Sequence, residues 1–284
     1  MRCLLVGFSL LATLAAAPAR ADQLPIFDAH MHYSHDAWDV VPPREVVEIL
    51  KKAGVKRAMV SSSNNEGTRM LQDVAPDVIV PELRPYRSRG EISTWAKDPT
   101  VIPFLEDLLS KRRYRAIGEF HIYGADADLP NMRRVVELAS QYGLYLHSHS
   151  DADAVVRHFR QDPKAKVLWA HSGFERPEKV REMLRTYPTL WCDLAFLTSH
   201  ASNGKVAPGW REAFLEFPDR FVLGTDTFTP ERWHYVIEHA RWSRQWLADL
   251  PPDVARKIAY ENGDRLFGGE LGGKPEGGAV GGRR

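Results

Sequence analysis

Cysteine is nearly missing from this chain, with two in 284 residues. Cys3 falls in an apolar leader, so Cys192 alone remains beyond it. One thiol cannot close an internal disulfide, whatever the compartment. Cys192 therefore reads as a small buried hydrophobe. An excess of one charge is also missing: 38 Lys and Arg face 37 Asp and Glu, a formal net of +1. Such balance excludes the electrostatic footprint of a protein that grips nucleic acid or an anionic membrane. Beyond the leader no run approaches ~18 apolar residues, so no membrane span is expected.

The leader itself has a basic start at Arg2, an apolar stretch from Cys3 to Ala17, and Ala19-Arg20-Ala21 as a small-x-small cleavage site. Residues 1–21 are thus expected to be a secretory signal peptide, with Asp22 the first mature residue and a periplasmic or secreted location. Removal takes away Arg2 and Arg20 and no acid, leaving 36 bases against 37 acids and 284 − 21 = 263 residues. One large α/β domain over 22–267 fits that length. Residues 268–284, rich in Gly and without apolar periodicity, read as a disordered tail.

Between Leu24 and Phe267, short runs of β-formers alternate with amphipathic stretches. The pattern predicts strands over Ile26–His30, Lys56–Ser61, Val78–Leu83, Arg115–Phe120, Leu144–His147, Val167–His171, Leu190–Leu194 and Phe221–Thr225. Helices are predicted over Pro43–Ala53, residues 67–74, Val101–Lys111, Met132–Tyr142, Ala152–Arg160, Pro177–Tyr187, Trp210–Phe217 and Arg232–Leu250. Pro43 and Pro177 stand at helix starts, Gly54 and Gly143 at helix ends. Eight such units imply a parallel sheet closed as a (β/α)8 TIM barrel. The open doubly wound sheet would carry a glycine-rich loop after its first strand, where this chain has His30-Met31-His32-Tyr33.

In such a barrel the chemistry sits at the carboxyl ends of the strands. Strand one ends in Asp28-Ala29-His30-Met31-His32, and simple alternation sends Asp28, His30 and His32 to one face. Strand four ends in Gly118-Glu119-Phe120-His121 and strand five in His147-Ser148-His149. Strand six ends in His171-Ser172-Gly173 and strand eight in Thr225-Asp226. Neutral imidazoles with a carboxylate suit Zn, with Mn, Fe or Ni as alternatives. Arg84 and Arg87, after strand three, are candidates for clamping a carboxylate or phosphate, against the competing reading of solvated loop arginines. His35, His121 and His149 are candidates to line the pocket. His158, His200, His234 and His239 read as structural, and Trp233, Trp242 and Trp246 as packing. The face of Asp193 stays open.

The order of His-x-His on strand one, His on strands five and six and Asp on strand eight resembles the amidohydrolase superfamily of metal-dependent hydrolases. The resemblance spans nearly all of Leu24–Phe267. Ile117-Gly118-Glu119 with Leu146-His147-Ser148 resembles its TatD-like branch. Trp169-Ala170-His171-Ser172-Gly173 and Glu261-Asn262-Gly263-Asp264-Arg265-Leu266-Phe267 resemble the amidohydrolase-related branch. It implies that His30, His32 and Asp226 ligate a main divalent ion and that His147 and His171 serve that ion or a second one. Glu119 matches a bridging acid. No lysine on strand four could be carboxylated, so a second ion would depend on Glu119. His149 stands where the TatD-like pattern has Arg, which counts against a phosphate substrate.

The expected activity is hydrolysis of a C–N or C–O bond in a small-molecule amide, lactone or ester by metal-activated water, with Asp226 as proton carrier. A TatD-like phosphoesterase or nuclease, a metal-dependent decarboxylase, and a non-catalytic binding barrel are the alternatives. No nucleic-acid or membrane partner is expected, and the sequence does not indicate an oligomeric state.

Overall fold

The computed structural model describes residues 24–269. The signal peptide expected over 1–21 lies outside them, as does all but the start of the expected tail. Gly268 and Gly269 are described, and their carbonyls accept hydrogen bonds from Arg57 and Arg115.

Eight parallel strands run in sequence order around a barrel. They are β1 (Ile26–His32), β2 (Val55–Ser61), β3 (Ile79–Leu83), β4 (Ala116–His121), β5 (Tyr145–His149), β6 (Lys166–Trp169), β7 (Leu190–Asp193) and β8 (Phe221–Val222). The ring closes between β8 and β1 through Ala29 N to Leu223 O at 2.8 Å, Asp226 N to His30 O at 2.9 Å and His32 N to Thr227 O at 2.8 Å. Helices α1 (Pro43–Ala53), α2 (Glu66–Val74), α3 (Val101–Lys111), α4 (Pro130–Tyr142), α5 (Ala152–Gln161), α6 (Pro177–Thr186), α7 (Pro208–Glu216) and α8 (Pro230–Leu247) pack outside. The expected TIM barrel is the fold found.

Local sequence explains the element ends. In α1, Pro43 occupies the first turn, where a missing N–H costs nothing. Gly54 then stops the helix in a left-handed conformation (φ 71°), its N–H returned to the Leu50 and Lys51 carbonyls. Three strands end earlier than the periodicity predicts: β6 at Trp169, β7 at Asp193 and β8 at Val222. Beyond β6 the backbone turns left-handed at His171 (φ 55°), and beyond β8 it does so at Asp226 (φ 48°).

Inside the barrel, Phe27, Ala29, Met59, Val80, Ala116, Leu168 and Val222 form an apolar layer closed below by Phe267. Burying a large apolar side chain there contributes about 1.5–3 kcal/mol. The outward faces of the strands join the helices in the larger core. Trp233 packs edge-on against Tyr33 and Trp246 lies near-parallel to Phe214. Among the described residues no helix is long and apolar enough to cross a membrane.

Candidate active site

Above the apolar layer the inner faces of the strands become polar in two steps. On β3 the inward series is Val80, Glu82, Arg84; on β5 it is Tyr145, His147, His149; on β7 it is Trp191, Asp193. β1 departs from simple alternation. A register shift between Asp28 and Met31 turns Asp28 away, and its Oδ1 accepts the backbone N–H of His30 and of Thr225, each at 3.1 Å. Burial pushes the Asp28 carboxyl up to about 7, against those two bonds. His30 and His32 still face the barrel axis.

The lower polar step is sealed. Glu82, His147 and Asp193 are fully buried. His147 meets Glu82 Oε1 through Nδ1 and Asp193 Oδ2 through Nε2, both at 2.9 Å. Burial disfavours its charge, but Glu82 and the bond to Asp193 prevail, and His147 is held at about 9. Both ring nitrogens are therefore donors to carboxylates. The resemblance assigned His147 to metal ligation; the structure places it one step below His149, between two acids, and His30, His147 and Asp193 form a further group that could hold a cation. Asp193, whose face alternation could not decide, points inward. Its Oδ2 also takes His30 Nδ1 at 3.1 Å, while Oδ1 takes the N–H of His171 and of Ala195 at 2.9 Å.

The upper step gathers the remaining donors. His30 Nε2 and His32 Nε2 are 3.2 Å apart. Asp226 Oδ1 lies 3.6 and 3.4 Å from them, and Glu119 reaches them at 3.5 and 3.3 Å through its two oxygens. His171 Nε2 is 3.3 Å from Glu119 Oε1 and 3.1 Å from His149 Nδ1. His149 Nδ1 is 2.7 Å from that same Glu119 oxygen. Thus β5 supplies its cavity-facing imidazole from His149, two residues beyond His147.

Three of these rings have their far nitrogen fixed by an acceptor. His32 Nδ1 faces the Ser61 carbonyl at 3.2 Å, and His171 Nδ1 the Ala195 carbonyl at 2.7 Å. His30 Nδ1 faces the Asp193 carboxylate. A carbonyl or ionised carboxylate only accepts, so each Nδ1 keeps its proton and each neutral ring presents a bare Nε2 to the cavity. In the absence of a bound ion, the surrounding carboxylates favour a second proton on His30. Burial opposes charge on His30, yet Asp193, Glu119 and Asp226 together raise it well above the ordinary imidazole value. Burial likewise opposes ionisation of Asp226, but His30 and His32 hold it down at about 2. Glu119 is lowered well below its usual range, His30, His149 and His171 outweighing its burial. The cluster thus asks for positive charge at its centre.

A divalent ion fits these donors. Ligands about 2.0–2.1 Å from a tetrahedral ion stand about 3.3–3.4 Å from one another. His30 Nε2, His32 Nε2 and Asp226 Oδ1, at 3.2–3.6 Å, have that spacing, and they form one of the described groups able to hold a cation. Glu119 and His171 form another with His30.

The loops that hold these side chains are bent sharply. His171, Ser172, Gly173 and Phe174 all have positive φ, between 51° and 66°, which costs L-residues on the order of 1 kcal/mol each. At Gly173 a Cβ would sit 2.1 Å from the Trp169 ring. Asp226 is fixed from behind by Arg232, which donates to the Asp226 and Thr225 carbonyls at 2.8 Å.

Of the sequence candidates for substrate contact, Arg84 is buried and bound to Glu119, through Nη2 to Oε2 at 2.9 Å and Nε to the carbonyl at 3.1 Å. Arg87 lies elsewhere, paired with Glu91 and Asp98. His121 and His149 line the cavity, stacked at 4.0 Å, while His35 is exposed and is not part of its wall. The cavity holds about 360 Å³ and is also lined by Tyr86, Arg89, Phe174, Phe196 and Phe228, which sequence reasoning missed. One signal was available: Arg232 follows Pro230 in the first turn of α8, where a cation opposes the helix dipole and needs another purpose.

A family profile described as amidohydrolase matches residues 106–269. Comparison with curated proteins finds no match. Among solved structures, an uncharacterised TIM-barrel protein of Bordetella bronchiseptica is 15% identical, with a TM-score of 0.60 over 86% of this chain and 98% of that one. A probable 2-pyrone-4,6-dicarboxylic acid hydrolase of Acinetobacter baumannii, solved with citric acid, is 12% identical, with a TM-score of 0.55 over 86% and 99%. An amidohydrolase of Burkholderia multivorans with bound HEPES is 12% identical, with a TM-score of 0.53 over 86% and 99%. At these identities the likeness is one of fold.

Proposed function

The chain belongs to the amidohydrolase family and is an enzyme of the amidohydrolase type, and on that premise we propose that it is a metal-dependent hydrolase of a C–N or C–O bond in an amide, lactone or ester. The observation that carries this reading is the spacing of His30 Nε2, His32 Nε2 and Asp226 Oδ1, which suits one tetrahedral divalent ion. Zinc is the proposed ion, because the donors are imidazole and carboxylate with no thiolate. Glu119, His149 and His171 are the residues that would hold a second one. When bound, the ion supplies Lewis acidity and brings the pKa of water at the site toward about 7.

The chain's own groups do the rest. Asp226, ionised at neutral pH, accepts the proton of the attacking water and returns it to the leaving nitrogen or oxygen. Asp193 holds the His30 ring by Nδ1, and Ser61 holds His32, so that each Nε2 faces inward. Arg84 fixes Glu119 and keeps its oxygens from turning away. The aromatic side of the cavity keeps water sparse around the reacting bond, which strengthens each of these charges.

The test is metal analysis of purified protein, followed by turnover of an ester, lactone, amide and phosphoester panel before and after chelation. Activity lost on chelation and recovered with zinc supports the reading. Full activity in protein stripped of metal sinks it, and turnover confined to phosphoesters sinks the bond assignment.

A further inference from the structure

One side of the cavity is apolar and uncovered. Eight large hydrophobic side chains are exposed among the described residues, and three of them, Ile92, Phe174 and Phe196, line this single space. Concentrating uncovered apolar surface beside a reaction centre marks it as a place for an apolar ligand group. The wall is built in advance. Phe174 lies flat on the His171 ring, centroids 4.6 Å apart and planes 18° from parallel. Phe196 and Phe228 stand 6.3 Å apart, and the Arg232 guanidinium, 4.9 and 5.1 Å from their centroids, braces both.

Two guanidiniums border the same cavity, and each is already engaged by a carboxylate of the chain. Arg84 is committed to Glu119. Arg89 donates Nη1 to Asp36 Oδ2 at 2.6 Å and Nη2 to the Phe228 carbonyl. A substrate carboxylate would have to share Arg84 with Glu119, beside the donor cluster, or Arg89 with Asp36. On the second path it also approaches three carboxylates, those of Asp36, Glu119 and Asp226. An exposed pair such as Arg89–Asp36 is weak in itself, yet a tethered carboxylate competes with every incoming one.

Resting on the reading of this cavity as the hydrolytic site, we infer that its substrate is an uncharged molecule bearing a flat apolar ring beside the scissile bond, of the class of aryl esters, anilides and benzo-fused lactones. Asp36 sets this preference by occupying Arg89. Hydrolysis places the water oxygen on the acyl carbon, breaks the acyl–oxygen or acyl–nitrogen bond, and gives the water proton to the leaving aryloxide oxygen or anilide nitrogen.

The test compares 4-methylphenyl acetate with 4-carboxyphenyl acetate, whose difference lies far from the scissile bond, on metal-loaded full-length protein and its Asp36→Asn variant. Each kcat/KM is normalised to the ester's hydroxide rate. The parent is expected to favour the neutral ester by at least about tenfold. In Asp36→Asn the carboxylated ester should gain by about that factor while the neutral one stays within about twofold. A parent that prefers the carboxylated ester, or a ratio that Asp36→Asn does not move, overturns the inference. Calorimetric titration with 4-methylacetanilide and 4-acetamidobenzoate separates the two readings where neither ester turns over. Tighter binding of the neutral ligand then upholds the substrate class and counts against hydrolysis alone. Tighter binding of the acid, or binding of neither, overturns the class.

Discussion

On β5, His147 and His149 stand two residues apart and face the same way, yet their surroundings differ. His147 is fully buried between Glu82 and Asp193. His149 opens to the cavity, with 19% of its side chain exposed, against Glu119 and His171. The lower group sets one imidazole between two acids. The upper group brings the Nε2 atoms of His30, His32 and His171 together with the carboxylates of Glu119 and Asp226 around one space. On the proposed function, the first is a structural ion cluster and the second a place for an ion and a substrate. Identical residue types at one pleat's separation thus divide between folding and chemistry.

That division makes the largest expected effect one on rate without one on fold. Asp226→Asn keeps the side-chain volume and removes the proton acceptor. Turnover should fall about 10²–10⁴-fold from loss of the base, with weaker ion binding adding to it. Circular dichroism should be unchanged. A folded, metal-loaded Asp226→Asn protein with near-parental turnover removes Asp226 from the base's role.

The lower group should answer in the opposite way. His147→Leu leaves Glu82 and Asp193 facing each other in the barrel with no cation between them. Breaking a buried ion cluster by deleting one partner costs about 3–5 kcal/mol. Urea unfolding at pH 7 measures it, and zinc per folded molecule should stay at the parental value. A His147→Leu protein of normal stability that has lost its metal would move His147 to the upper group and dissolve the comparison.

How far this was readable in advance follows from the same residues. The eight-unit alternation depends on local periodicity and caps, and Pro43–Ala53 and Val101–Lys111 were bounded from sequence as they occur. The stations His30, His32, Glu119, His171 and Asp226 were legible because strand ends in a barrel converge. The difference in surroundings between His147 and His149 was not, since both share a parity and only the height of the apolar layer separates them. Asp28 misled because a register shift breaks alternation without a glycine or proline to announce it. The aromatic wall was hidden for another reason: Tyr86, Phe174, Phe196 and Phe228 come from different loops, and nothing in local pattern relates them.

His171, like Asp226, stands beyond its strand, but it differs from the other stations in lying on four successive left-handed residues. Gly173→Ala tests that support. The new methyl meets Trp169 at 2.1 Å and sits at φ 66°, so strain and overpacking together should cost about 2–4 kcal/mol. Thermal unfolding reads the loss. An unchanged midpoint would mean that the turn relaxes freely and that His171 is not rigidly held.

The smallest effect concerns an imidazole that belongs to neither group. His158, on α5, is wholly buried against Phe120, with Nε2 3.1 Å from Ser148 Oγ and Nδ1 unpartnered. Burial lowers it to about 4, with Asp128 opposing only weakly. The unfolded chain takes a proton on this ring near pH 6.5 and the native one does not until about 4. Native stability from this group is therefore complete above pH 6.5 and falls as the pH drops through the window between those values. By pH 5 the loss is about 2 kcal/mol. His158→Leu deletes the titration and leaves Ser148 Oγ its bond to Ser150 Oγ at 2.9 Å. Unfolding free energies at pH 7 and pH 5 should differ by about 2 kcal/mol less in the variant than in the parent. Other buried imidazoles, His200 and His239, are also lowered to about 4, so the parent's total acid sensitivity is larger than this one share. A variant with the parent's full pH slope would show that His158 is protonated in the folded protein, and the ring would then need an acid partner within the core.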